Sequence, residues 1–224
     1  MQTITIDVVS DVMCPWCFIG KRRLEGALDM LNDIQVEVQW RPFQLDPTLP
    51  EEGKDRETYL KEKFGGDIRA KEIYSRVRDA GREEGIEFAF DLIERSPNTL
   101  DAHRLIRWSR TPGLQDKMAE RLFELYFIEG ADLTKKETLL DAARDVGMEV
   151  DVVSRLLDGD ADLEETKAEI AAAQRMGVTG VPCFIIDSKY AVMGAQASET
   201  IAQAVRQAAG EKAEEAQYAE ADDA

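Results

Sequence analysis

The strongest constraint on this chain lies at one junction near its N-terminus. The run Ile4-Thr5-Ile6-Asp7-Val8-Val9 is rich in β-branched residues and reads as a strand. Cys14-Pro15-Trp16-Cys17 follows it. Phe18, Ile19, Leu24, Leu28 and Leu31 then fall near helical spacing, with Lys21, Arg22, Arg23 and Glu25 between them. Pro15 suits the first turn of that helix, where its missing N–H leaves nothing unpaired. Ile34 to Trp40 alternates apolar and polar residues, the pattern of a half-buried strand. Strand, helix, strand is a βαβ unit, so the paired cysteines stand where a strand hands over to a helix.

That position has chemical consequences. A helix N-terminus presents unpaired N–H groups and a partial positive charge. Such a setting stabilises a thiolate relative to a free cysteine, whose pKa is about 8.5. Cys14 at the helix mouth is expected to attack, and Cys17, one turn further in, to resolve the mixed disulfide. Neither Pro15 nor Trp16 carries charge. The centre is therefore expected to be less oxidising than the strongest known oxidant of this type, at about −120 mV.

From about Arg56 to Met176 the periodicity is helical almost throughout. Helices are expected over Arg56–Phe64, Ile68–Glu84, Pro97–Ser109, Leu114–Ile128, Lys135–Val146, Val152–Leu157 and Leu163–Met176. Pro97 reads as a helix start, and Thr134 with Glu137 as a capping box. Strand character returns at Cys183–Ile186 and Tyr190–Met193, followed by a last helix over Ser198–Ala209. The Ala- and acid-rich remainder, 211–224, reads as a disordered tail. The order β-α-β, many helices, then α-β-β-α implies an α/β domain formed by 1–50 and 165–210, with a helical domain inserted at 51–164.

Composition narrows the function classes. At 44% hydrophobic the chain can build a core without disulfide staples. Its formal net charge of −17 argues against nucleic acid and anionic membranes as partners. No apolar run reaches the roughly 18 residues of a membrane span, and no secretory leader is apparent, so a cytoplasmic location is expected. The three cysteines and the sole histidine, His103, could in principle form a Cys₃His zinc site. The lack of a second C-x-x-C and the strand-then-helix context favour redox chemistry instead, with no metal.

Val181-Pro182 precedes the returning strand. Proline is tolerated at a strand's first position, and X–Pro bonds can also be cis at small cost. A cis loop facing the cysteines would offer Val181 backbone to an extended substrate. Cys183 reads as a small buried hydrophobe.

Together these segments resemble a family. Ser10-Asp11-Val12-Met13-Cys14-Pro15-Trp16-Cys17-Phe18-Ile19-Gly20-Lys21, Arg41-Pro42-Phe43-Gln44-Leu45-Asp46-Pro47 and Gly177-Val178-Thr179-Gly180-Val181-Pro182 are similar to segments of the DsbA-like thioredoxin proteins of the FrnE type. The resemblance spans residues 1–210. It implies a thioredoxin fold with an inserted helical domain, a cis-Pro182 against the cysteines, and a protein disulfide oxidoreductase needing no cofactor. It also implies Asn98 and His103 as substrate-binding candidates, and protein or small-molecule thiols, glutathione among them, as partners. Related 2-hydroxychromene-2-carboxylate isomerases and kappa-class glutathione transferases typically carry Ser where this chain has Cys14. A glutathione-dependent isomerase or transferase is therefore the alternative enzyme, and a peptide-binding chaperone the non-enzymatic one.

Asp7 could relay a proton from Cys17, but an outward position on the polar side of its strand is expected. Trp40, Trp108, Phe123, Tyr126 and Phe127 read as core aromatics. Lys21-Arg22-Arg23 reads as a solvated face.

Overall fold

A computed structural model describes residues 3–111 and 113–222. β1 (Thr3–Ser10), α1 (Pro15–Asp29) and β2 (Gln35–Pro42) form the expected βαβ opening. α8 (Leu163–Arg175), β5 (Cys183–Ile186), β6 (Tyr190–Met193) and α9 (Ser198–Asp222) form the closing half. The four strands make one mixed sheet in the order β2-β1-β5-β6. β1 runs parallel to β2 from Thr3 opposite Gln35, and antiparallel to β5 with Val9 opposite Cys183.

Alternation along β1 divides the core. Ile4, Ile6 and Val8 share a cluster with Phe18, Ile19 and Leu24 of α1, Phe184 and Ile186 of β5, and Ile201 and Val205 of α9. Val9 belongs to a second cluster with Phe43, Ala173, Val178 and Cys183. Neighbouring strand residues point to opposite sheet faces, so Cys183 is directed away from Phe184, which belongs to the cluster of α1.

Between the halves lie α2 (Arg56–Phe64), α3 (Asp67–Glu83), α4 (Leu100–Trp108), α5 (Leu114–Phe127), α6 (Lys136–Asp145) and α7 (Val150–Leu157). This region is not purely helical: β3 (Lys54–Asp55) pairs antiparallel with β4 (Arg95–Ser96). Its aromatic residues pack directly against α1. The Phe18 ring stacks on Phe123 at 5.2 Å and meets Phe88 edge-on at 6.1 Å. Trp40, Phe123, Tyr126 and Phe127 are buried, whereas Trp108 is half-buried and donates its indole N–H to Asp162.

Four sequence expectations need correction. α4 begins at Leu100, because Ser96 pairs with Lys54 and the Asn98 side chain accepts from the Leu100 amide. The Thr134–Glu137 capping box does not form: Asp132 takes both the Thr134 amide and hydroxyl, leaving Lys135 as the N-cap. Lys21-Arg22-Arg23 is not a solvated face. Lys21 is buried among Glu25, Asp116 and Glu120, Arg22 pairs with Glu120, and Arg23 with Glu84. Finally, α9 continues through the expected disordered tail to Asp222. Ala and Glu favour that continuation, and Lys212 fastens it by donating to the Thr3 carbonyl and Asp187. The last tail residues, Asp223 and Ala224, lie outside the described residues. Among the described residues, no helix is long and apolar enough to cross a membrane.

Candidate active site

The site grows from the turn between β1 and α1. Asp11 accepts the Cys14 amide through its backbone carbonyl at 3.0 Å, closing that turn. Cys14 is the N-cap of α1, in extended conformation, with Pro15 in the first turn. Its side chain makes no capping bond, so the sulfur stands at the mouth of the helix, at the positive end of its dipole. Cys17 lies one turn on, more deeply buried than Cys14. Both are free thiols.

The two sulfurs are not equivalent. Burial, then a hydrogen bond and charge from Cys14, push the Cys17 thiol well above the usual cysteine range, with Ser10 and the Asp11 backbone countering part of the push. Cys17 therefore holds its proton. Binding Cys14 in a mixed disulfide relieves the part of that push that comes from Cys14.

The second side of the site comes from the loop before β5. The Val181–Pro182 peptide bond is cis. The Cys14 thiol donates to the Val181 carbonyl oxygen at 3.6 Å. Gly20 makes this approach feasible: a Cβ there would lie 2.8 Å from Cγ of Pro182 and 3.3 Å from Phe184. Residues from opposite ends of the chain thus meet at one sulfur.

His103 also reaches the site's supporting shell. Its Nε2 lies 2.8 Å from the Phe43 carbonyl and 3.4 Å from Asp11 Oδ1. Asp11 is fully buried, and its other oxygen accepts the Leu45 amide at 2.7 Å. This carboxylate ties the turn before Cys14 to the segment after β2. Asp7, weighed as a proton relay but expected on the polar side of its strand, is half-buried and accepts a hydrogen bond from Arg41 at 2.6 Å. Asn98 is not brought to the sulfur by any described contact. Its amide oxygen accepts from Gln44 and Leu100, and its nitrogen donates to the Leu49 carbonyl.

Trp16 is half-buried against the core, and Pro15 is buried. Cys183 has its thiol raised by burial alone, in the cluster on the far side of the sheet. Among the described residues, no group of three or more His, Cys, Asp or Glu side chains is arranged to hold a metal ion.

A further group went unremarked in the sequence. Arg56, at the start of α2, is buried against the rings of Tyr74, Phe90 and Tyr126 at 4.9, 5.6 and 6.0 Å. Burial raises the Tyr74 phenol; the Arg56 charge pulls it down, and Cys14 adds a smaller upward push. No local spacing announces this cluster, since its members lie far apart in the chain.

Comparison with known proteins agrees with this architecture. The structure of a "probable DsbA oxidoreductase" from Streptomyces coelicolor matches with a TM-score of 0.85 at 30% identity, over 93% of this chain and 91% of that one. A 2-hydroxychromene-2-carboxylate isomerase shares the fold at 14% identity and a TM-score of 0.71, over 94% of this chain and 98% of that one. The cytosolic disulfide reductase DsbM from Pseudomonas aeruginosa, in a structure with glutathione, shares it at 17% identity and a TM-score of 0.57, over 84% and 89%. The model of the DSBA-like thioredoxin domain matches residues 5–206. With the βαβ opening, the αββα closing half and nearly the whole chain under that match, the protein belongs to the DsbA-like thioredoxin family.

Proposed function

We propose that this protein is a thiol–disulfide oxidoreductase whose reacting groups are Cys14 and Cys17. The observation that carries the reading is the Cys14 thiol at the head of α1, 3.6 Å from the carbonyl that precedes Pro182. The Cys14 thiolate attacks one sulfur of a substrate disulfide. A Cys14–substrate disulfide forms, the substrate S–S bond breaks, and the first substrate thiolate leaves. Cys17 then loses its proton and attacks Cys14, releasing the second substrate thiolate and leaving a Cys14–Cys17 disulfide. Two electrons pass from the protein to the substrate. Two molecules of a thiol such as glutathione return them and leave as one disulfide. In this reading Val181 offers its backbone to the substrate chain, and Asp11 with His103 holds the turn from behind.

The second cysteine separates this reading from a glutathione-dependent isomerase of the same fold, which would need only one sulfur or hydroxyl at the helix mouth. Insulin reduction by glutathione is the test. Cys14→Ser is expected to abolish it, and Cys17→Ser is expected to stall with substrate covalently held on Cys14. Full turnover by Cys17→Ser would overturn the reading.

A further inference from the structure

We propose that Arg56 anchors a carboxylate of the small thiol or disulfide substrate beside the Cys14–Cys17 centre. The inference rests on the proposed dithiol chemistry and adds a substrate class to it.

Arg56 carries an unbalanced charge. Arg56 is 7% exposed, and no carboxylate is paired with it among the described residues. This is notable in a chain with 45 acidic side chains, where most other buried or half-buried basic groups found one. Burying a guanidinium without a counter-ion is costly. Its Nη1 donates to the Tyr126 hydroxyl at 3.2 Å, but Nη2 is buried with no hydrogen-bond partner from the protein. The Ser96 hydroxyl, on the strand paired with the segment leading into α2, is likewise unpartnered. The Tyr74 ring lies over the guanidinium. One donor on a buried charged group is thus left without an acceptor from the protein. A planar guanidinium suits a carboxylate, which it can hold through two parallel bonds.

The location suits a substrate of the cysteines. Phe18 directly follows Cys17 and meets Phe88 edge-on; Phe88 stacks on Phe90 at 4.7 Å, and Phe90 carries the guanidinium. One continuous aromatic wall therefore joins the first turn of α1 to Arg56. The half-buried Tyr74 ring covers the guanidinium at 4.9 Å, and this ring must move aside for a ligand to enter.

The test compares two disulfides on the full chain: glutathione disulfide, which carries carboxylates, and hydroxyethyl disulfide, which carries none. The readout is the ratio of their kcat/KM values. Arg56→Met is expected to lower that ratio at least about ten-fold, the scale of one charge-assisted hydrogen bond, and Arg56→Lys to lower it less. For the unmodified protein, the fully esterified glutathione disulfide is expected to lose a similar factor against the free acid. The ester comparison needs no variant, so it decides the matter even if Arg56→Met fails to fold. An unchanged ratio in a folded variant, or equal rates for acid and ester, overturns the anchor while leaving the dithiol chemistry standing. If the unmodified protein reduces neither disulfide, the dithiol reading fails and the anchor falls with it.

Discussion

At the scale of single residues, the two cysteines were legible in the sequence because everything that defines them is local. Strand, turn, Pro15 and helix all lie within one short stretch, and the helix mouth follows from their order. From its own residues Val181-Pro182 was legible only as a dipeptide, and the family resemblance supplied the cis bond and its place against the cysteines; the meeting with Cys14 depends on β5 pairing with β1, a contact between distant parts of the chain. Gly20 tests that meeting. A methyl group there would strike the rigid Pro182 ring, with nothing flexible to give way. Gly20→Ala is expected to destabilise the protein by about 1–3 kcal/mol, as overpacking typically does, and to slow disulfide exchange through displacement of the loop. Denaturant unfolding and the insulin assay measure the two effects; a variant as stable and active as the parent would mean that Pro182 does not pack on α1. The surroundings of Asp11 and Arg56 were missed because distant segments assemble them. Asp11 is one acidic residue beside a motif until Leu45 and His103 close on it, and Arg56 is one base in a charged stretch until the aromatic rings surround it.

Among the elements, periodicity located the helices well and their ends poorly. α2 is bounded as expected, since Asp55 caps it and accepts the Thr58 amide at 2.8 Å. α4 and α6 start later than expected because competing side chains, Asn98 and Asp132, claim the turn before each helix. The face of α1 bearing Lys21 was misread because its counter-charges come from α5. Burial opposes the Glu120 carboxylate, but the hydrogen bond and charge of Arg22, together with Lys21, outweigh it and hold the group below the usual carboxylate range. A depressed folded-state value means that the unfolded chain takes up the proton first. The stability this group contributes is present above its unfolded pKa of about 4.3 and is lost as pH falls through the folded value. Glu120→Gln should therefore cost stability at neutral pH and reduce the loss on acidification below about pH 4.5. Denaturant midpoints measured across that range check this. A parent and variant falling in parallel would show that the α1–α5 network carries no such linkage.

For the whole molecule, the order of elements was enough to place two halves of one sheet around an inserted helical block, because crossover rules leave few arrangements for strands so spaced. The sequence could not indicate that the inserted block packs its aromatic rings on Phe18 of α1, through Phe88, Phe123 and Phe127. Nor did local composition reveal that α9 runs on beyond Ala209, since its fastening by Lys212 depends on the β1 start and the β5–β6 turn. The arrangement assigns the three cysteines to two environments: Cys14 and Cys17 at the head of α1, and Cys183 on the opposite face of the sheet. The most direct measurement of the central claim is peptide mapping by mass spectrometry after the full chain is equilibrated with glutathione and its disulfide. The account predicts a Cys14–Cys17 disulfide whose population follows the redox poise, with Cys183 a free thiol throughout. A Cys14 and Cys17 that stay reduced across the whole range, or a disulfide that includes Cys183, would contradict it.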